Sequence, residues 1–355
     1  MNIVAHARRF VVGVDTHART HDLAILVAAT GELLVSEQFP TTSAGVNRAI
    51  SWVGRWTGGD LDALWVIEGV ATFGARLARV AAEAGYQVVE AARMSARSNR
   101  GIGKSDLLDA RRIAAAVLPL GADQLRYPRR DGGLRAALRV LVSARDQMST
   151  ERTADINAIT ALLRAFELGV DARRRVGSRQ AGEIARWRSR DEDVAVATAR
   201  SEAIRLAKRI VTLDAELQAN RARIDELQGQ SPAVALLEKT GVGPVTAAVA
   251  FVAWSHHGRV RSEAAFASLA GVNPIPASSG NTTRHRLNRG GDRQLNRALH
   301  IATVTRMAHD PVTRDYVDRR RAEGRTNKEI RRILKRYLAR QVFRTLTAAH
   351  AHAAT

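Results

Sequence analysis

Cysteine is absent from this 355-residue chain. That removes disulfides, thiolate zinc sites and a cysteine nucleophile from consideration. Also absent is any apolar run long enough to span a bilayer, and the first ten residues, MNIVAHARRF, hold neither the apolar core nor the cleavage site of a secretory signal. The expectation is a cytoplasmic protein with no membrane partner. Acidic residues are in short supply. The chain has 35 Asp and Glu against 55 Lys and Arg, almost all of them arginine, for a formal charge of +20. Arginine contacts phosphates bidentately and stacks on bases, so a polyanion is the expected partner. Hydrophobic content of 45% is ordinary for a globular protein, and the length allows two or three domains with real cores.

Residues 10–127 alternate strand and helix patterns. FVVGVD at 10–15 is an apolar run with the Val and Phe content of a buried strand, and it ends on a carboxylate, Asp15. Two further strands, 21–27 and 33–39, flank Thr30-Gly31, a hairpin signal. Helical spacing follows over 41–56, then a strand over 61–68 that ends on Glu68, a helix over 73–84 and a strand over 86–90. A basic Gly-containing loop, 93–104, leads into a helix over 106–117. This is a mixed α/β domain.

Four acids then fall into a pattern. Asp15 and Glu68 end strands, and Asp106 and Asp109 sit three apart on one helix face. Taken singly, Asp15 reads as a turn cap, Asp106 as an acid complementing the helix dipole and Asp109 as a solvated charge. Taken together, four converging carboxylates require cations, and hard oxygen ligands of this kind suit Mg²⁺ or Mn²⁺ with substrate phosphate oxygens as further ligands. His17 is a candidate supporting group beside Asp15.

Residues 131–231 change texture to long helical periodicity. The seam from Ala199 through Ala203, Leu206, Ile210, Leu213, Leu217, Asn220 and Ile224 to Leu227 alternates steps of four and three, which reads as a coiled coil. Asn220 is the kind of seam residue that fixes register. Pairing within the chain, against the helix before it, and pairing between chains fit the pattern about equally. Residues 169–182 are polar and Arg-rich, the pattern of a loop between helices.

The last third opens with LLEKTGVGPVTAAVAF, whose TGVGP core resembles a helix–hairpin–helix turn. Gly241 and Gly243 would let backbone N–H groups approach a phosphate, although an ordinary turn between packed helices fits nearly as well. ASSGNTTRHRLNRGGDRQL then sets hydroxyls beside Arg284, Arg286, Arg289 and Arg293, a combination able to hold a phosphodiester, where the bland alternative is a basic surface loop. Between residues 284 and 340 there are 17 Lys or Arg and 6 Asp or Glu. That excess supplies affinity for phosphates rather than sequence choice.

GVDTH, VIEG and KSDLLDARRIA, in this order, together with NPIPASSG and RLNRGGDRQLNRAL near the end, resemble the motifs of the insertion sequence 110 family of transposases. The resemblance covers nearly the whole chain. It implies a RuvC-like domain of RNase H fold over residues 8–128, a helical coiled-coil arm over 131–231 and a mostly helical C-terminal transposase domain over 233–345. It implies that Asp15, Glu68, Asp106 and Asp109 are a DEDD tetrad holding two divalent ions, with Lys104 just ahead of the pair as a nucleic-acid contact. Ser279 would be the nucleophile, with the adjacent Ser278 as the alternative. The Asn288-Arg289-Gly290-Gly291-Asp292 stretch departs slightly from the family's usual Lys-Arg-Gly. DNA strand exchange through a phosphoserine intermediate, a structured guide RNA and a homo-oligomer, dimer or tetramer, follow from the same resemblance. Rival readings are a metal-dependent junction nuclease, a non-catalytic nucleic-acid-binding protein, and an actin-like or sugar-kinase-like ATPase. The last lacks a second phosphate loop in this sequence.

Overall fold

The computed structural model of the chain describes residues 3–91, 106–129, 133–278 and 285–353, without the side chains of 106, 107 and 351–353. The chain divides into two units, 1–130 and 131–355.

In the first unit a short helix α1 (Val4–Ala7) precedes strands β1 (Phe10–Thr16), β2 (Thr20–Val27) and β3 (Leu33–Pro40). Helix α2 (Ser43–Thr57), strand β4 (Leu64–Ile67), helix α3 (Ala75–Glu83), strand β5 (Val88–Glu90) and helix α4 (Asp106–Ala115) follow. The sheet order is β3-β2-β1-β4-β5, with β1 antiparallel to β2 and parallel to β4. β1 is therefore central, and all seven of its residues are buried. A strand covered on both faces needs an unbroken apolar run, which is what FVVGV supplies.

Alternation sorts that run. Phe10, Val12 and Val14 pack with α2 and α3, while Val11 packs with Ile113 and Ala114 of α4. Gly13 falls on the α4 side, where a Cβ would lie 2.1 Å from the Ala110 carbonyl oxygen. Helix and strand touch backbone to backbone there, and only glycine permits it. At the N-terminus of α2, Thr42 Oγ1 accepts from Gly45 N at 3.1 Å, and Gly58 with φ +66° closes the helix. Gly31, φ +71°, sits in the β2–β3 hairpin at the expected turn.

The second unit starts with two long helices, α5 (Gly133–Ala165) and α7 (Val194–Gly229), separated by α6 (Ser178–Ile184). α5 and α7 run antiparallel within the chain. Arg145 donates to the Leu217 carbonyl at 2.8 Å, while Arg209 Nε meets Asp155 Oδ2 at 3.0 Å near the other end. The α7 seam faces this partner, and Asn220 Nδ2 donates to the Leu141 carbonyl at 3.0 Å. Intramolecular pairing thus takes up the seam. The region expected to be a loop contains α6, because Ala181 and Ile184 join Leu168, Ala172 and Val176 in an apolar cluster that covers the hairpin's far end.

Beyond α7, a 3-10 helix (Pro232–Leu236) leads to α8 (Pro244–Trp254) and α9 (Glu263–Leu269). A hairpin of β6 (Pro274–Pro276) and β7 (His285–Leu287) comes next, then α10 (Arg293–His309), α11 (Pro311–Ala322) and α12 (Asn327–Ala353). From Thr246 to Trp254 every residue of α8 is buried, so this helix is the centre around which α9, α10 and α12 assemble. No helix among the described residues is long and apolar enough to cross a membrane.

Candidate active site and nucleic-acid surfaces

The end of β1 sets the first site. Asp15 continues the Val11–Gly13 side of the strand and is buried. β4 lies parallel to β1, with Val14 opposite Ile67. Leu64 and Val66 also face α4, so the same alternation carries Glu68 to that side. Two hydrogen bonds hold the junction together. Glu68 N donates to the Val14 carbonyl at 3.0 Å, and Thr16 Oγ1 donates to the Glu68 carbonyl at 3.0 Å. The Gly13–Ala110 contact places the neighbouring Asp109 on the same side.

The charges register this convergence. Glu68 is exposed on one side, yet its partial desolvation pushes the carboxyl above the usual carboxylate range, and the charges of Asp15 and then Asp109 push it further, while His17 opposes them. His17 Nε2 lies 3.2 Å from Asp15 Oδ2, and Arg112 donates to Asp109 at 3.0 Å. Two of the acids are thus held by nitrogens of the chain. Among the described residues no group of three or more His, Asp or Glu side chains is close enough to hold a metal ion. Asp106 opens α4, but its side chain, like all of Lys104, lies outside the described residues. The donor chemistry nevertheless fits a hard divalent cation, because the acids are oxygen ligands whose mutual repulsion such an ion would relieve.

Sequence reasoning missed Asp22. It is 1% exposed and pairs directly across β1–β2 with Asp15, with Gln38 Nε2 donating to its Oδ1 at 2.9 Å. Directly opposed residues share a sheet face, so a further carboxylate borders the site. The signal available was a polar His21-Asp22 pair opening an otherwise apolar strand. His21 is also buried, and its imidazole is held below the usual range by burial and then by His17.

In the second unit the TGVGP turn is preceded by a 3-10 helix rather than an α-helix. Gly241, φ +80°, is required by packing, since a Cβ there would lie 2.6 Å from the Ala302 carbonyl oxygen in α10. At Gly243, the residue capping α8, nothing among the described residues lies within 4 Å of the corresponding position. Both glycines line a cleft of about 870 Å³ together with Arg145, Arg221 and Lys239. Burial, then repulsion from Arg221, lowers the Arg145 guanidinium from its ordinary value.

The β6–β7 hairpin frames the sequence that carries the serine. Ser278 is exposed, while Ser279 and Arg284 lie outside the described residues. Arg286 is on β7, and Arg289 and Arg293 flank the Gly290-Gly291 turn into α10. That turn is fixed by backbone crossing, because a Cβ on Gly291 would lie 2.3 Å from Gly271 N. Asn288 Oδ1 accepts from Gly290 N, and Asp292 Oδ1 caps α10 by accepting from Gln294 N and Leu295 N, each at 2.9 Å.

Residues 12–167 match the DEDD transposase family model of IS110 type, and residues 233–318 match the transposase family IS116/IS110/IS902. The chain belongs to the IS110 transposase family. It is similar to the "Insertion element IS110 uncharacterized 43.6 kDa protein" of Streptomyces coelicolor, 27% identical over 89% of this chain and 88% of that one. It is likewise similar to the "Insertion element IS900 uncharacterized 42 kDa protein" of Mycobacterium paratuberculosis, 28% identical over 88% of this chain and 89% of that one. Membership of the IS110 family implies DNA cleavage and rejoining in a mobile element. Its DEDD designation suggests dependence on a divalent metal.

Proposed function

We propose that this IS110-family chain is an RNA-guided DNA recombinase whose N-terminal acids and C-terminal serine act together on the scissile phosphodiester. The observation that carries the reading is the junction of the parallel strands β1 and β4, where Glu68 N donates to the Val14 carbonyl and Thr16 Oγ1 to the Glu68 carbonyl, each at 3.0 Å, so that the strand ends bearing Asp15 and Glu68 are held together. The sheet order β3-β2-β1-β4-β5 with helices on both faces supports an RNase H-type domain over residues 8–128. The arm over 131–231 and the transposase domain over 233–345 complete the chain.

Asp15, Glu68, Asp106 and Asp109 would hold two Mg²⁺ or Mn²⁺ ions, which when bound polarise the phosphate and stabilise the attacking and leaving oxygens. The Ser279 hydroxyl forms a new O–P bond to the DNA as the P–O bond to the neighbouring deoxyribose breaks. The serine gives up its proton and the released deoxyribose oxygen takes one. Attack by another strand's hydroxyl on the phosphoserine reverses these bonds, so rejoining needs no external energy source. Lys104, Gly241, Gly243, Arg284, Arg286, Arg289 and Arg293 contact nucleic-acid backbone. Sequence choice resides in base pairing with a guide RNA, as in guided systems generally. A homo-oligomer, dimer or tetramer, brings acids and serine of different subunits to one phosphate.

The test is cleavage of labelled DNA carrying joined element ends, with the flanking transcript and Mg²⁺. Asp15→Ala and Ser279→Ala should each abolish cutting. Cutting that survives in Ser279→Ala means that water is the nucleophile and that the chain is a junction nuclease.

A further inference from the structure

We propose that a bowl between α10 and α12 binds one phosphodiester of a single nucleic-acid strand, with the adjoining nucleoside resting in the cavity beside it. The inference rests on the reading of the chain as a nucleic-acid recombinase and joins to Arg289 and Arg293 the side chains of His300, Lys335 and Tyr337, which the sequence motifs do not contain. The bowl, about 480 Å³, is lined by Asn288, Arg289, Arg293, Asn296, His300 and Lys335 among others, and among the described residues none that lines it is acidic. Arg297, also in its wall, is bound to Asp146 of α5. Arg289 and Arg293 have no carboxylate partner among the described residues.

The bowl is held in shape from below. Asn296 Nδ2 donates to the Ala270 carbonyl at 2.7 Å, which turns its Oδ1 toward Lys335 Nζ at 2.8 Å. That bond uses one of the three ammonium donors and leaves two. The Gly291–Gly271 backbone crossing fixes the rim that bears Arg289. Burial lowers the Lys335 ammonium from its ordinary value, followed by repulsion from Arg331 and Arg332. The His300 imidazole is lowered by burial, then by Lys335 and Arg331. Cations packed together with only an amide oxygen to share are stabilised by an anion, and the forked guanidiniums match phosphate oxygens.

A neighbouring cavity of about 330 Å³ shares Asn288 and Lys335 with the bowl and is lined further by Leu287, Ile333, Arg336 and Tyr337. Tyr337 is 45% exposed and Leu287 49%. An exposed aromatic next to a cationic bowl is the pairing that single strands use, a base against a ring and a phosphate against a cation. A duplex would keep its bases out of such a cavity, and free phosphate would leave it unused.

The experiment is fluorescence anisotropy on the full chain in EDTA, with labelled eight-nucleotide DNA and RNA strands of one sequence and an abasic DNA strand. Lys335→Gln and Arg293→Gln should each weaken binding about tenfold and lower the salt slope by roughly 0.7, one single-strand phosphate contact. Lys335→Arg should restore affinity. Tyr337→Ala should weaken the normal strands about tenfold and leave the abasic strand unchanged. Arg174→Gln, an exposed arginine of the far loop, removes the same charge and should change binding less than twofold. Melting curves of Lys335→Gln matching the wild type exclude loss of fold. The strand, DNA or RNA, that loses more affinity identifies the source of the phosphodiester. Wild-type affinity in Lys335→Gln and Arg293→Gln, or a loss no larger than in Arg174→Gln, overturns the proposal. Neither metal nor cleavage enters this measurement, so its failure leaves the serine chemistry standing, and failure of the serine chemistry leaves the bowl standing.

Discussion

Gly13 and Ala110 meet backbone to backbone, the position of a Cβ on Gly13 lying 2.1 Å from the Ala110 carbonyl oxygen. This contact seats α4 on the central strand, and with it Asp109 within reach of the Glu68 charge. Gly13→Ala should force α4 outward and destabilise the first unit by about 3 kcal/mol, the upper end of overpacking costs, because backbone rather than a flexible side chain is in the way. Urea unfolding monitored by tryptophan fluorescence checks this through a lowered midpoint at unchanged slope.

The repulsion at Glu68 makes stability depend on pH in a defined direction. A carboxyl raised in the folded state binds its proton more readily there than in the unfolded chain. Its contribution is therefore fully present below the ordinary glutamate range and is lost as pH rises through the raised value. Glu68→Gln should be more stable than the wild type at neutral pH without divalent ions, and the difference should disappear in acid. Equal stability of the two proteins across the whole range would contradict the placement of Glu68 among these charges.

Divalent cations should reverse that penalty. Mg²⁺ or Mn²⁺ at about a hundred times its Kd should stabilise the wild type by about 2.7 kcal/mol. Asp15→Asn and Glu68→Gln should lose most of this gain, as read by the melting temperature with and without the ion. This readout needs neither DNA nor activity.

On the arm, Asn220 gives one hydrogen bond to the Leu141 carbonyl, and its buried Oδ1 has no partner among the described residues. Replacing it by leucine removes an unsatisfied polar atom from an apolar seam and should stabilise the chain by about 1 kcal/mol. Because α5 already occupies that seam, sedimentation should give the same molecular mass before and after. A change in mass would assign the seam to contacts between chains.

These relationships were legible in the sequence to different degrees. The run FVVGV announced a half- or fully buried strand, and Asp15 and Glu68 were visible as acids at strand ends, because local pattern alone determines both; that β1 is covered on both faces follows from the sheet order. Asp22 was not visible as a neighbour of Asp15, because only strand register brings them together. The role of Gly13 depends on a helix about a hundred residues away. Periodicity found the α7 seam, yet the direction and source of its partner are tertiary facts. Gly241 looked like a phosphate-contacting glycine, and the close approach of α10 supplies a packing reason for it. Lys335 could not be joined to Arg293 by any motif, since a helix of unremarkable basic sequence brings it there.

Joint action of the acids and the serine is read out by a covalent-trapping assay. The full chain, its flanking transcript, labelled DNA carrying joined element ends and Mg²⁺ are incubated and separated on a denaturing gel. A metal-dependent protein–DNA adduct is expected, absent from both Ser279→Ala and Asp15→Ala. Cleaved DNA with no adduct in the wild type, or an adduct that persists in Ser279→Ala, would contradict that joint action.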